Sequence, residues 1–316
     1  MSARHRIDVH QHIVPPFWAD ALSAHGADPS GWACPAWSAD SAIAFMDSVG
    51  TAAGVLSLTA PSVKGWSGQA KRDIARRVNA YTAEVVARHP TRFGNFATLP
   101  LPDVDGALAE IAHAFDTLKV DGVVLMSNHD GAYLGEPAFD PVWNELDRRQ
   151  AVVFIHPAMP AIAPLKGMPG PMIDYPFDTT RTAVHLVVNG VVSRYPNVRI
   201  ILSHAGGFLP YAAQRVATVA PMANKNSPSA DTVLAQLQTF YFDTALSAPS
   251  ALPSLAAFAK PGHILYGSDF PYAPSAAGAA FAAQQDASAV FSAQQQAAIN
   301  RSNALALFPR LAALDR

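Results

Sequence analysis

The chain has 316 residues, 50% of them hydrophobic and 15% charged, with a formal net charge of −2. This composition supports a large core and excludes a disordered chain, and the mixed, near-neutral charge excludes a nucleic-acid or anionic-membrane surface. The single cysteine, Cys34, excludes an internal disulfide, and the sequence shows neither a leader-like apolar segment nor an apolar run near 18 residues; the expectation is a soluble cytoplasmic protein.

Ile7-Asp8-Val9 reads as a short apolar strand with His10 and His12 at its end. Side chains two apart leave a strand on one face, so both imidazoles could meet one metal ion, at about 2.0–2.1 Å for zinc. Residues 13–40, rich in Pro, Gly, Trp and Ala, read as a long loop carrying a short helix. A helix over 40–49 stops at Gly50, a strand spans 54–58, and a helix over 72–88 puts Ile74, Val78, Tyr81 and Val85 on one face. A strand over 93–98 is followed by a helix capped by Asp103 and running to about 118. Then come a strand over 122–126, a helix over 139–149 and a strand over 152–155 that ends at His156. The segment 157–177 reads as a Pro- and Gly-rich loop, with Asp178 either capping a helix to 194 or closing the loop. Strands over 198–202, 240–242 and 263–266 run into Ser203-His204, Asp243 and Ser268-Asp269, and an Ala- and Gln-rich helical region closes the chain over 275–308.

Eight apolar strands alternating with helices predict a parallel sheet buried on both faces. Over this length the predicted fold is α/β, a (β/α)8 TIM-like barrel forming one domain over 1–316 with a loop-rich insertion around 13–40. A doubly wound open sheet is the alternative, but no glycine-rich dinucleotide fingerprint follows the first strand. A barrel gathers the strand C-termini at one mouth, so His10, His12, His156, His204 and Asp269 would converge there. Nitrogen and carboxylate donors together suit a borderline divalent ion, zinc foremost and manganese next.

Five segments carry a family likeness: Asp8-Val9-His10-Gln11-His12, Phe154-Ile155-His156-Pro157, Phe177-Asp178-Thr179-Thr180, Leu202-Ser203-His204-Ala205-Gly206-Gly207 and Tyr266-Gly267-Ser268-Asp269-Phe270-Pro271. On these the chain, from about residue 6 to 308, resembles the amidohydrolase superfamily, in the branch similar to aminocarboxymuconate semialdehyde decarboxylase. The resemblance implies His10, His12, His156 and Asp269 as metal ligands and His204 as a catalytic histidine. Strand four ends Leu125-Met126-Ser127-Asn128, with no lysine to carboxylate, which agrees with a mononuclear site. Pro29-Ser30-Gly31-Trp32, Leu56-Ser57-Leu58-Thr59-Ala60-Pro61 and Tyr241-Phe242-Asp243-Thr244-Ala245 look more like decarboxylases of 2-hydroxybenzoates such as 6-methylsalicylate.

The implied activity is nonoxidative loss of an arene carboxylate, with Asp269, His204 or a metal-bound water as proton donor. A lactone or amide hydrolase on the same scaffold is the alternative; a hydratase would want more arginines, and a non-catalytic protein would need no metal set. Arg215 matches a family arginine that reaches a substrate carboxylate, in some members across a dimer interface, and its other reading is a solvated helix arginine. The family's arginine near the end of strand two has no counterpart between Leu58 and Lys64. A homodimer is implied by the resemblance alone. Trp32 and Phe270 are the expected aromatic walls, with Trp18, Trp66 and Tyr272 as further candidates. His129 could reach the mouth, and Asp243 is expected to orient a neighbour.

Overall fold

The predicted apolar runs pair edge to edge, each parallel to the last, in a computed structural model that describes residues 5–26, 32–223 and 227–315. In spatial as well as chain order the strands are β1 (Arg6–Ile13), β2 (Thr51–Leu58), β3 (Phe93–Thr98), β4 (Gly122–Met126), β5 (Val152–His156), β6 (Arg199–Leu202), β7 (Tyr241–Asp243) and β8 (Ile264–Leu265). The ring closes where the chain leaving β8 runs beside β1. There Val9 N–H donates to the Tyr266 carbonyl at 3.0 Å, Asp269 N–H to the His10 carbonyl at 2.8 Å and His12 N–H to the Phe270 carbonyl at 2.8 Å.

Successive strand residues face opposite sides, and both sides are apolar. Val124, Met126 and Phe154 point into the barrel with Ile7, Val9 and Ile201. Val123, Leu125, Val153 and Ile155 point outward onto the helices, against Ile111, Trp143 and Leu186. The helices that matter below are α1 (Pro16–Ala21), α2 (Ala39–Ser48), α3 (Gly68–Arg88), α4 (Val104–His113), α5 (Asp140–Arg148), α6 (Gly170–Val188), α7 (Val191–Arg194) and α8 (Leu209–Ala223).

Three elements differ from the sequence expectation. β1 does not stop before the histidines but runs through them, with its register against β2 shifted between Asp8 and Gln11. The helix expected from 178 begins at Gly170, so Asp178 is a buried mid-helix residue rather than an N-cap, and Gly190 separates α6 from α7. Pro171 and Pro176 made this stretch read as loop; Pro171 occupies the first turn, where no amide donor is needed, and Pro176 sits inside the helix. α4 is shorter than expected and ends in a π turn over Ala114–Leu118, while Asp103 does cap it by accepting the Gly106 N–H at 3.0 Å. Pro29, Ser30 and Gly31 lie outside the described residues.

Candidate metal centre and its cavity

The shifted register of β1 turns His10 and His12 into the barrel mouth, and both are fully buried. β5 brings His156 beside them, and the turn after β8 brings Asp269. One ligand atom from each of His10, His12, His156 and Asp269 lies within 4.8 Å of the others. His10 Nε2 and His12 Nε2 stand 3.1 Å apart, and Asp269 Oδ1 is 2.9 Å from His12 Nε2 and 3.2 Å from His10 Nε2.

The tautomers follow from what the other ring nitrogens touch. His10 Nδ1 donates to Asp243 Oδ2 at 2.7 Å, His12 Nδ1 faces the Ser57 Oγ and carbonyl at 3.1 and 3.3 Å, and His156 Nδ1 donates to the Pro157 carbonyl at 2.9 Å. Ser57 Oγ–H donates onward to the Gln11 carbonyl at 3.2 Å, which leaves its lone pairs for His12. Each imidazole therefore turns an Nε2 lone pair toward the same point, the arrangement that metal-ligating histidines adopt.

The local charge asks for a cation at that point. Asp243 and Asp269 are buried with no lysine or arginine paired to them among the described residues. Burial disfavours a charged His10, yet the Asp243 and Asp269 carboxylates overcome it and lift its pKa to about 10. His156 is held well below its ordinary value by burial and by the neighbouring histidines. A divalent ion in place of the proton that His10 otherwise carries balances the two buried carboxylates, and the donor set of three nitrogens and one oxygen fits such an ion.

Asp243 orients more than His10. Its Oδ1 accepts the His204 and Ala245 backbone N–H groups, both at 2.9 Å. His204 and Asp269 are held at φ 53° and 63°, a left-handed region that non-glycine residues occupy at a cost of about 1–3 kcal/mol each. That backbone aims His204 Nε2 at Asp269 Oδ2, 3.4 Å away, while His204 Nδ1 is buried and unpartnered. The tight turn needs Gly207: a Cβ there would meet the Pro176 carbonyl oxygen at 2.0 Å. Asp8 braces the other side of the mouth by accepting the His10 and Ser268 N–H groups at 3.0 and 3.1 Å and the Gln11 amide at 2.9 Å. Burial pushes the Asp8 carboxyl up to about 6.

The cluster opens onto a cavity of about 510 Å3 that reaches His156, His204 and Asp269 and is walled by Trp32, Tyr175, Phe208, Leu246 and Tyr272. Of the expected walls, Trp32 and Tyr272 line it. Phe270 does not; its ring stacks on Phe45 of α2 at 4.5 Å, and the turn that begins at Pro271 sends Tyr272 to the mouth instead. Trp18 and Trp66 are core residues. Arg215 lies on the exposed side of α8, off this cavity. Tyr175, Phe208 and Leu246 were not anticipated: Tyr175 sits in the stretch read as loop, and Phe208 is marked only by following Gly206-Gly207. His129 lines a neighbouring cavity instead.

A parallel eight-stranded barrel with three histidines and an aspartate converging at the C-terminal mouth defines a metal-site barrel of the hydrolase type. The chain belongs to the amidohydrolase family, whose sequence profile matches residues 7–310. It is 44% identical to a decarboxylase of Aspergillus niger, over 96% of this chain and 88% of that one. It is 43% identical to the 6-methylsalicylic acid decarboxylase of Aspergillus aculeatus, over 97% of this chain and 96% of that one. Among solved structures, the dihydroxybenzoic acid decarboxylase of Polaromonas sp. JS666, with bound manganese and 2-nitroresorcinol, superposes with a TM-score of 0.81 at 23% identity, over 100% of this chain and 98% of that one. No helix among the described residues is long and apolar enough to cross a membrane.

Proposed function

We propose that this protein is a metal-dependent, nonoxidative decarboxylase of a 2-hydroxybenzoate, with 6-methylsalicylate as the leading substrate. The observation that carries the reading is the meeting, in one largely apolar cavity, of the three-histidine, one-aspartate cluster with the His204–Asp269 pair. The likeness to the Aspergillus aculeatus enzyme favours decarboxylation over hydrolysis of a lactone or amide.

His10, His12, His156 and Asp269 would hold the ion, zinc by its donor preference and manganese as the alternative, the ion carried by the Polaromonas structure. When bound, a divalent ion supplies Lewis-acid attraction and orientation to the substrate carboxylate and its neighbouring hydroxyl oxygen. The chain's own task is the proton. Loss of carbon dioxide from an arene requires protonation of the ring carbon that bears the carboxylate; the electrons of the broken carbon–carbon bond then restore the ring. Asp269 turns Oδ1 to the ligand histidines and Oδ2 to His204 Nε2, so this pair can hold a proton at the cavity wall. Trp32, Tyr175 and Phe208 would flank the ring and keep water from it.

The reading takes the chain as one domain, working as a homodimer in the cytoplasm. Phe270 is given no contact with substrate, and Arg215, exposed on its own chain, would reach a carboxylate only across the dimer interface.

The test is ultraviolet-monitored turnover of 6-methylsalicylate by zinc- and manganese-loaded protein, with the gas trapped. One carbon dioxide and one methylphenol per acid consumed is the expected result. Inertness toward a panel of 2-hydroxybenzoates, with metal confirmed in the protein, would overturn it. Asp269→Asn should abolish turnover even when metal is loaded, and a metal-replete variant that still turns over would remove Asp269 from its essential place.

A further inference from the structure

A second cavity, of about 400 Å3, lies beside the metal cavity and shares Ala60 and Pro169 with it. The loops after β2, β3, β4 and β5 build it, through Ser62, Leu101, Asn128 and Met159. Lys71, in the first turn of α3, lines it. Lys71 is 8% exposed, and among the described residues its ammonium makes one hydrogen bond, a long one, 3.4 Å from Nζ to the Leu101 carbonyl. No carboxylate stands within ion-pair distance of it among the described residues. Asp103 is taken by Arg72 and by the cap of α4, and Asp130 reaches Lys64 at 3.9 Å. His129, on the short hairpin formed by Asn128–His129 and Ala132–Tyr133, lines the same cavity, and its Nε2 is buried and unpartnered. Burial, and secondarily the Lys71 charge, holds His129 neutral, so one of its ring nitrogens keeps a proton to donate.

A buried ammonium with no carboxylate in contact is costly, and an anion held in this cavity beside Lys71 and His129 would relieve that cost. Lys64, Asn128 and the exposed Asp130 add polar groups to the wall, and Val63, Met126, Met159 and Met168 give it an apolar, adaptable side. Thioethers pack well against aromatic rings. We propose that this cavity is a second binding site, for an aromatic monocarboxylate, whose carboxylate faces Lys71 and His129 while its ring lies among the methionines. The inference goes beyond the decarboxylase reading and does not depend on turnover, because the test reads occupancy by an inert acid.

The experiment titrates metal-loaded protein with 4-fluorobenzoate, followed by fluorine NMR. The wild type should show two bound signals, one lost on chelating the metal and one that survives. In Lys71→Met the metal-independent signal should weaken about thirtyfold or more, the usual consequence of removing one member of a buried charge pair, while the other stays. Lys71→Arg should keep both, and His129→Phe provides an independent route if Lys71→Met does not fold. A single bound signal in the wild type, or a metal-independent signal untouched by both Lys71→Met and His129→Phe, would overturn the proposal.

Discussion

Asp243→Asn isolates the residue on which the geometry of the metal cluster and of His204 both depend. Asp243 is fully buried and accepts three donors: His10 Nδ1–H through Oδ2, and the His204 and Ala245 amides through Oδ1. An asparagine offers one oxygen and one NH2 group to these two sets. If the NH2 faces His10, donor meets donor, the imidazole must move its proton to Nε2, and the lone pair aimed at the metal is lost. If the oxygen faces His10, the NH2 opposes the two backbone donors that hold the left-handed turn at His204. The first orientation should weaken metal binding about 10–100-fold, the usual cost of losing a partner that orients a ligand histidine. That range corresponds to about 1.4–2.7 kcal/mol. The second should lower kcat at saturating metal, because a turn that stores about 1–3 kcal/mol of strain loses its anchor. Competition against a chelator of known affinity measures the first effect, and turnover across a metal titration measures the second. Metal affinity within about threefold of wild type, together with an unchanged kcat, would refute the argument that Asp243 holds both.

Two further outcomes follow from groups away from the metal. Asp178→Ala would strip the acceptor from Ser127 Oγ–H, Asn128 Nδ2–H and Tyr133 O–H, all of which converge on that buried carboxylate. Orphaned buried donors cost about 1–3 kcal/mol each, so urea unfolding should show a loss of about 3 kcal/mol or more, and a loss under about 1 kcal/mol would show that these groups find other partners. Burial and then the Lys71 charge hold His129 at about 3, against an ordinary value of 6.5. The unfolded chain therefore takes up this proton first: the stabilisation is complete above 6.5 and is lost as pH falls from there toward about 3. His129→Gln should make unfolding free energy fall less steeply over that window than in the wild type, and parallel curves would contradict the shift.

The alternation of apolar runs and amphipathic helices made the barrel legible, because a strand buried on both faces needs no polar partner and reads as one block. Boundaries failed where local chemistry competes with position. Pro171 and Pro176 argue against a helix in isolation, yet the first turn tolerates one, and packing against the barrel carries α6 past the other. β1 reads short for the opposite reason: His10, Gln11 and His12 are polar, but all three are buried, with partners in Asp243, Asp8 and Ser57.

The site was legible to the extent that it hangs on strand ends. His156 is the last residue of β5 and Asp269 follows β8 by four residues, and both strands are ones the sequence marks plainly, so the barrel brings the two together. The cavity walls have no such anchor. Phe270 and Tyr272 are two aromatic residues flanking one proline, and composition cannot say which enters the mouth. The hydrogen bond from His12 N–H to the Phe270 carbonyl keeps Phe270 in the strand pairing with its ring on Phe45, and the turn that starts at Pro271 breaks the alternation and sends Tyr272 to the cavity. Lys71 carries still less signal. It lies in the first turn of an amphipathic helix, where a lysine ordinarily reaches solvent, and only the closing of the loops after β2, β3 and β4 around it makes it a buried charge. Ligand atoms borne on strands can thus be read from spacing, while the groups that choose what lies beside the metal come from loops whose mutual approach no local pattern encodes.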